Sequence, residues 1–331
     1  MKEKYISSGR VLKSSGGLFT VRFASGDHPL SGARAECRAR GSLKAGGKLL
    51  PGDIVEICYG DASFTLNSEG MTVPVDDSAG LPDAAVCAVS ERRNCLIRPP
   101  MANLDLMIVI IAAARPDPSL PNIDRLLSSA EYYSLKTAIV ITKCDLSAES
   151  ADALFDIYGT KAGYPVFRVS ADEEAGVKEL SDWVSSELPG HSAAFAGVSG
   201  AGKSTLMNRL FPSLGLKSGE VSRKNGRGKQ TTRTVELFEI PFGDDVSEEG
   251  LVADTPGFSS IDFENFDFLP FEALPDTMRE FRSFYDDCRW LDCTHTGEKD
   301  CGVAIAVREG KIAPSRHDSY REMYSILMAT H

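Results

Sequence analysis

The sequence predicts a multidomain chain: an N-terminal OB-like β-barrel, a central α/β domain built on a phosphate loop, and a C-terminal, mainly helical module with a metal site. Three observations predict it. Short β segments broken by glycine run to about residue 73, strands alternate with helices from about residue 84, and three cysteines crowd around a histidine after residue 271. The expected divisions are 1–73, 84–270 and 271–331.

In the first part the candidate strands are Arg10–Lys13, Leu18–Phe23, Ala33–Ala39, Ile54–Tyr59 and a last one near Met71–Val75. Turns at Ser15-Gly16-Gly17, Ser25-Gly26-Asp27 and Pro51-Gly52-Asp53 separate them. Several short strands at this spacing suit a small barrel, of the OB or the SH3 type; basic charge favours OB. Residues 1–60 carry ten bases and five acids, whereas Asp244–Asp292 carries fourteen acids and three bases. The net charge of −11 is therefore an asymmetry between the ends of the chain, with a second basic island at Arg223–Arg233. Such an asymmetry points to a nucleic-acid partner for the basic module.

The composition is that of a globular protein, 42% hydrophobic and 25% charged. The longest apolar run, Leu106–Ala114, is a buried strand rather than a membrane span, and MKEKYISSGR has no apolar core of a signal peptide. A cytoplasmic protein with no membrane partner is expected. Its eight cysteines are then expected as thiols, with Cys37, Cys58, Cys87 and Cys95 as small core residues.

From residue 84 the α/β texture continues with helical spacing at Ile123–Ser134, a strand at Thr137–Ile141, helices near Glu149–Tyr158 and at Val177–Glu187, and strands at Val166–Val169 and Ala193–Ala196. This alternation implies a parallel sheet covered on both faces. Val235–Ile240 and Leu251–Ala253 add two strands.

The strand at Ala193–Ala196 runs into Gly197-Val198-Ser199-Gly200-Ala201-Gly202-Lys203-Ser204, which matches G-x-x-x-x-G-K-[ST] in full and opens a helix at Thr205–Leu210. Glycines let the backbone curl its N–H groups around an anion, and the helix N-terminus adds positive potential. Lys203 is expected on the β- and γ-phosphates and Ser204 on Mg²⁺. Asp254-Thr255-Pro256-Gly257 follows a strand, as does the loop that meets Mg²⁺ through an aspartate and the γ-phosphate through a glycine N–H. Thr231 or Thr232 completes the metal's shell; the sequence does not separate them.

Thr142-Lys143-Cys144-Asp145 resembles the N-K-x-D element of translation-factor and Ras-type GTPases. Its aspartate accepts hydrogen bonds from guanine N1–H and N2–H₂, which adenine cannot offer. Lys143 is expected to pack over the base. Thr142 stands where asparagine is usual, a departure expected to weaken the tie between this loop and the phosphate loop. Ser170-Ala171 resembles the element whose backbone meets guanine O6. In ordinary GTPases these elements follow the phosphate loop. Here they precede it, so the central domain reads as a circularly permuted P-loop GTPase, a rearrangement that adjacent chain termini permit.

Cys288, Cys293, His295 and Cys301 supply three thiolates and an imidazole within one short stretch, a set suited to closed tetrahedral zinc. His28, His191, His317 and His331 read as surface residues.

Permuted order, basic barrel and cysteine–histidine module together resemble the bacterial ribosome small-subunit-dependent GTPases of the RsgA (YjeQ) type. Arg98-Pro99-Pro100-Met101-Ala102-Asn103-Leu104-Asp105 is similar to that family's R-P-x-x-A-N-x-D, and Gly226-Arg227-Gly228-Lys229-Gln230-Thr231-Thr232 to its G-R-G-x-H-T-T. Gln230 stands where histidine is usual; a glutamine can orient a water. The resemblance implies subunit-stimulated GTP hydrolysis to GDP, a role in small-subunit (30S) maturation, 16S rRNA as partner and one structural zinc. A monomer is expected. The competing expectations are an RNA-binding scaffold that holds GTP with little turnover, and a P-loop ATPase or kinase.

Overall fold

A computed structural model describes residues 4–25, 30–41, 43, 48–60, 64–66, 72–74, 84–96, 100–170, 176–215, 235–242, 249–254 and 269–330. They form two compact units.

The first unit comprises Met1–Leu104, Glu187–Ala194 and Arg227–Pro256. Its barrel strands are β1 (Lys4–Ser15), β2 (Leu18–Phe23), β3 (Arg34–Ala39) and β4 (Ile54–Gly60), followed by the small β5 (Phe64–Leu66) and β6 (Thr72–Pro74) hairpin and then β7 (Ala85–Val89). β1 pairs antiparallel with β2 and β4, β2 with β3, and β4 with β7, while β3 and β7 are parallel. The circuit β1-β2-β3-β7-β4-β1 closes, so no barrel edge is left unpaired. This closure is the five-stranded OB-like arrangement. Its last strand is Ala85–Val89, not the expected segment near 71–75, because Thr72–Pro74 pairs locally with Phe64–Leu66 instead. Alternation along β2 turns Phe19, Val21 and Phe23 into a core with Val11, Ala35, Val55, Ile57 and Val86.

Cys58 and Cys87 join β4 to β7 as a disulfide, which corrects the expectation of thiols throughout. Pairing of Cys58 with Ala85 across the ladder brings the two cysteines close, a juxtaposition that their 29-residue separation hides. Cys37 is a buried core thiol, pushed up to about 12 by burial and by the neighbouring Glu36 charge.

After the barrel, β8 (Cys95–Leu96) and β9 (Met101–Ala102) form a short hairpin, and Asn103 follows in left-handed backbone (φ 55). Its amide donates to Gly52 O at 3.0 Å and accepts from Arg93 N at 2.9 Å. Asp53, fully buried, receives Arg92 through both carboxylate oxygens.

The second unit comprises Asp105–Ser186, Phe195–Gly226 and Gly257–His331. Strands β10 (Leu106–Ala112), β11 (Lys136–Thr142) and β12 (Val166–Val169) are parallel, with every residue of β10 buried. Helices α1 (Leu120–Tyr132), α2 (Ala148–Phe155) and α3 (Val177–Glu187) alternate with them, and α2 continues as a π-helical turn over Asp156–Lys161. β13 (Ser192–Ala196) begins in the first unit and leads into the phosphate loop and α4 (Lys203–Leu210). Within the first unit β13 pairs parallel with β15 (Gly250–Asp254). β14 (Glu236–Ile240) pairs antiparallel with both β15 and β1, so the sheet is mixed at this end rather than parallel throughout.

The C-terminal segment is a chain of single 3₁₀ turns followed by α5 (Gly302–Arg308) and α6 (Pro314–Thr330). Leu274, Met278, Phe281, Val303, Ile312, Tyr320, Met323 and Leu327 are its core.

Candidate functional site

The phosphate loop begins where β13 ends. Gly197 must lack a side chain, because a Cβ there would lie 2.3 Å from the Ile110 carbonyl oxygen of β10. Gly202 caps α4 in left-handed backbone (φ 93), which turns the loop into the helix without Cβ strain. The Lys203 ammonium reaches back across the loop to Gly197 O at 2.7 Å and Val198 O at 3.1 Å. These contacts hold the positive charge at the loop's centre. Ser204 is half-buried and Thr205 exposed on the helix's first turn.

Thr142 ends β11, buried, and its hydroxyl donates to Ala201 O at 2.7 Å. The side chain therefore supplies the bond to the phosphate loop that its departure from asparagine was expected to weaken. Lys143, in left-handed backbone (φ 57), donates to Gly200 O at 2.8 Å and to Arg115 O. Its ammonium is thus a second bridge to the loop, in addition to any packing of its stem on a base. Cys144 donates to Ile141 O at 3.2 Å, and partial burial raises its pKa.

Asp145 is exposed at the end of this turn, and Ser170 Oγ donates to its Oδ1 at 2.8 Å. Arg209 of α4 donates to Ser170 O at 3.2 Å. The two elements singled out for the base, at Asp145 and Ser170, are thus brought together and joined to the helix that leaves the phosphate loop. A carboxylate held at one oxygen and open to solvent can accept a paired N–H donor set from a purine edge. Neither Arg209 nor the Arg115 carbonyl was singled out from the sequence, since neither belongs to a motif. Ala171, Gln230, Thr231, Thr232 and Gly257 lie outside the described residues, as does the side chain of Asp254, which ends β15 opposite Glu236.

The four C-terminal donors are assembled. The ligand atoms of Cys288, Cys293, His295 and Cys301 all lie within 4.8 Å of one another. His295 Nδ1 is 3.6 Å from Cys288 Sγ and 3.5 Å from Cys301 Sγ. A tetrahedral ion with the bond lengths of zinc places S and N about 3.6 Å apart, so the set fits a metal ion. Backbone N–H groups of Gly302 and Ala304 donate to Cys288 Sγ and Cys301 Sγ, a pattern that stabilises thiolates. His295 stacks on Tyr285 with centroids 4.9 Å apart, and His317 Nε2 lies 2.8 Å from His295 O. His317 is thus a support of the cluster rather than a free surface residue. Partial burial favours the neutral form of Glu298, but the Thr294 hydroxyl and the amides of this loop outweigh it and hold the carboxyl at about 2. His191 is exposed, and His28 and His331 lie outside the described residues.

A network with no motif of its own anchors this module. Arg316, fully buried on α6, forms a bidentate pair with Glu280 at 2.7 and 3.0 Å and donates to Asp124 of α1 at 2.9 Å. Tyr158 donates to the same Asp124 oxygen at 2.9 Å. Burial raises the Asp124 pKa against the opposing pull of Arg316.

Similarity to known proteins agrees with this geometry. The RsgA GTPase family model matches residues 89–264. The small ribosomal subunit biogenesis GTPase RsgA of Alkaliphilus metalliredigens is 38% identical over 321 residues, 96% of this chain and 97% of that protein. Its namesake from Ruminiclostridium cellulolyticum is 34% identical, covering 96% and 93%. The crystal structure of YjeQ from Thermotoga maritima superposes with a TM-score of 0.68 at 30% identity, covering 98% of this chain and 99% of that one. YloQ, described as a circularly permuted GTPase, gives 0.68 at 28% identity, covering 99% and 96%.

Proposed function

We infer that this chain, which belongs to the RsgA GTPase family, hydrolyses GTP to GDP and phosphate as a maturation factor of the small (30S) ribosomal subunit. The observation that carries the reading is the pair of bonds from Thr142 to Ala201 and from Lys143 to Gly200. They make the base reader and the phosphate holder one piece in a domain whose guanine elements come first.

In this reading Gly197–Gly202 wraps the phosphates with its N–H groups, and Lys203 shifts from its own loop carbonyls to the β- and γ-oxygens. Asp145, Ser170 and Ala171 read the base. Ser204, Asp254 and Thr231 or Thr232 are oxygen donors suited to Mg²⁺, which supplies charge stabilisation to the phosphates when bound. Gln230 orients the attacking water, and Gly257 meets the γ-phosphate. Cys288, Cys293, His295 and Cys301 would hold one structural zinc, as a set of four protein donors suited to a closed site.

The barrel is the part we assign to 16S rRNA, with a narrower face than its charge suggests. Lys13, Arg22 and Arg34 pair with Glu236, Glu239 and Glu249 of the β14–β15 region, which removes three bases from that face. Arg38, Arg40 and Lys48 remain exposed. Among the described residues no helix is long and apolar enough to cross a membrane, and we place the protein in the cytoplasm as a monomer.

Co-sedimentation with purified small subunits tests the assignment. Binding is expected to be tighter with a non-hydrolysable GTP analogue than with GDP. Equal affinity in the two states, or none in either, would overturn it.

A further inference from the structure

The metal-binding loop carries a feature that neither the metal nor the nucleotide explains. Between Cys288 and Cys293 stand Trp290 and Leu291, side by side at its tip, 53% and 110% exposed. A solvated pair of large apolar side chains does not serve packing, and it sits on a loop whose flanking cysteines converge on one cluster. The cluster donors fix the base of the tip, and the Cys293 N–H closes it on Trp290 O at 3.3 Å. The tip is therefore presented preformed, with little ordering entropy left to lose on binding.

Charge selects the partner. From Phe284 to Cys301 the chain has five acids and two bases. Asp286, Asp287 and Asp292 flank this pair in sequence and are exposed. Arg289 lies over the Trp290 ring at 5.3 Å and is paired with Asp300 at 3.3 Å. A tryptophan beside an arginine would suit base stacking, but flanking carboxylates repel phosphate, and the guanidinium over the ring is already matched. An apolar anchor inside an acidic rim instead complements a basic protein surface with an apolar recess.

We propose that Trp290 and Leu291 form a docking knob for a basic protein of the small subunit, not for its RNA. This rests on the functional reading above. The knob inserts and the three aspartates steer the approach.

The test uses the full, metal-loaded chain and intact small subunits. A photoreactive phenylalanine analogue at position 291 is expected to crosslink to a basic subunit protein. W290S/L291S is expected to weaken subunit binding about tenfold, with metal content and subunit-free GTP hydrolysis unchanged. D286N/D287N/D292N is expected to slow association and flatten its salt dependence. A crosslink to 16S rRNA, or undiminished binding by W290S/L291S, overturns the proposal alone. If the unaltered chain fails to bind subunits at all, the functional reading falls and takes this proposal with it.

Discussion

Thr142 is a single hydroxyl in place of an amide, and its neighbours decide what that change does. Its Oγ1 reaches Ala201 O at 2.7 Å from a buried position, so removing the hydroxyl leaves a carbonyl of the phosphate loop without that donor. T142V keeps the shape and loses the bond. A buried bond of this kind contributes about 1 kcal/mol, so GTP affinity should fall roughly fivefold. T142N should restore it, and titration of both variants with a fluorescent GTP analogue is the check. The motif residues were legible in sequence because each acts within a few positions of its neighbours: Gly197–Ser204 as one loop, Thr142–Asp145 as one turn, Cys288–Cys301 as one wrap. Arg316 was not legible, because its partner Asp124 lies 192 residues away and neither sits in a motif.

Helix α6 depends on such a distant partner. Arg316 faces two carboxylates in a site without solvent. R316M would leave Asp124 and Glu280 buried without their cation, and a broken buried pair of this kind costs about 3–5 kcal/mol. The denaturation midpoint should fall accordingly, and replacing both acids by leucine in the same variant should recover much of it. Metal removal acts on the same module from the other side. Chelation should release one zinc per chain and lower the melting temperature, because the Cys288–Cys301 wrap joins the 3₁₀ turns to α5. A chain that melts identically with and without chelator would contradict a structural metal. Local periodicity located α1 to α3 and most strands. It misplaced the barrel's last strand because the β3–β7 pair is parallel and closes over a long excursion, which residue alternation does not encode.

Across the whole molecule, the compact units do not follow the sequence's divisions. The β14–β15 region belongs with the barrel, bonded to β1 through Lys13↔Glu236 and held by Arg22 to Glu239 and Glu249. This region lies in sequence between the segments at 216–234 and 255–268, where γ-phosphate is expected to act. The barrel is therefore coupled to the hairpin that joins those segments. R22A should leave GTP affinity unchanged and reduce the difference in subunit affinity between GTP and GDP states, read by co-sedimentation in each. Guanine recognition at Asp145 and turnover completed by the subunit meet in one measurement: phosphate release from GTP and from ATP at rising concentrations of small subunits, for the natural chain and for D145N. A saturable rise with GTP, no rise with ATP, and loss of that preference in D145N are expected. A GTP rate indifferent to subunits, or an ATP rate that rises equally in the natural chain, would contradict this expectation.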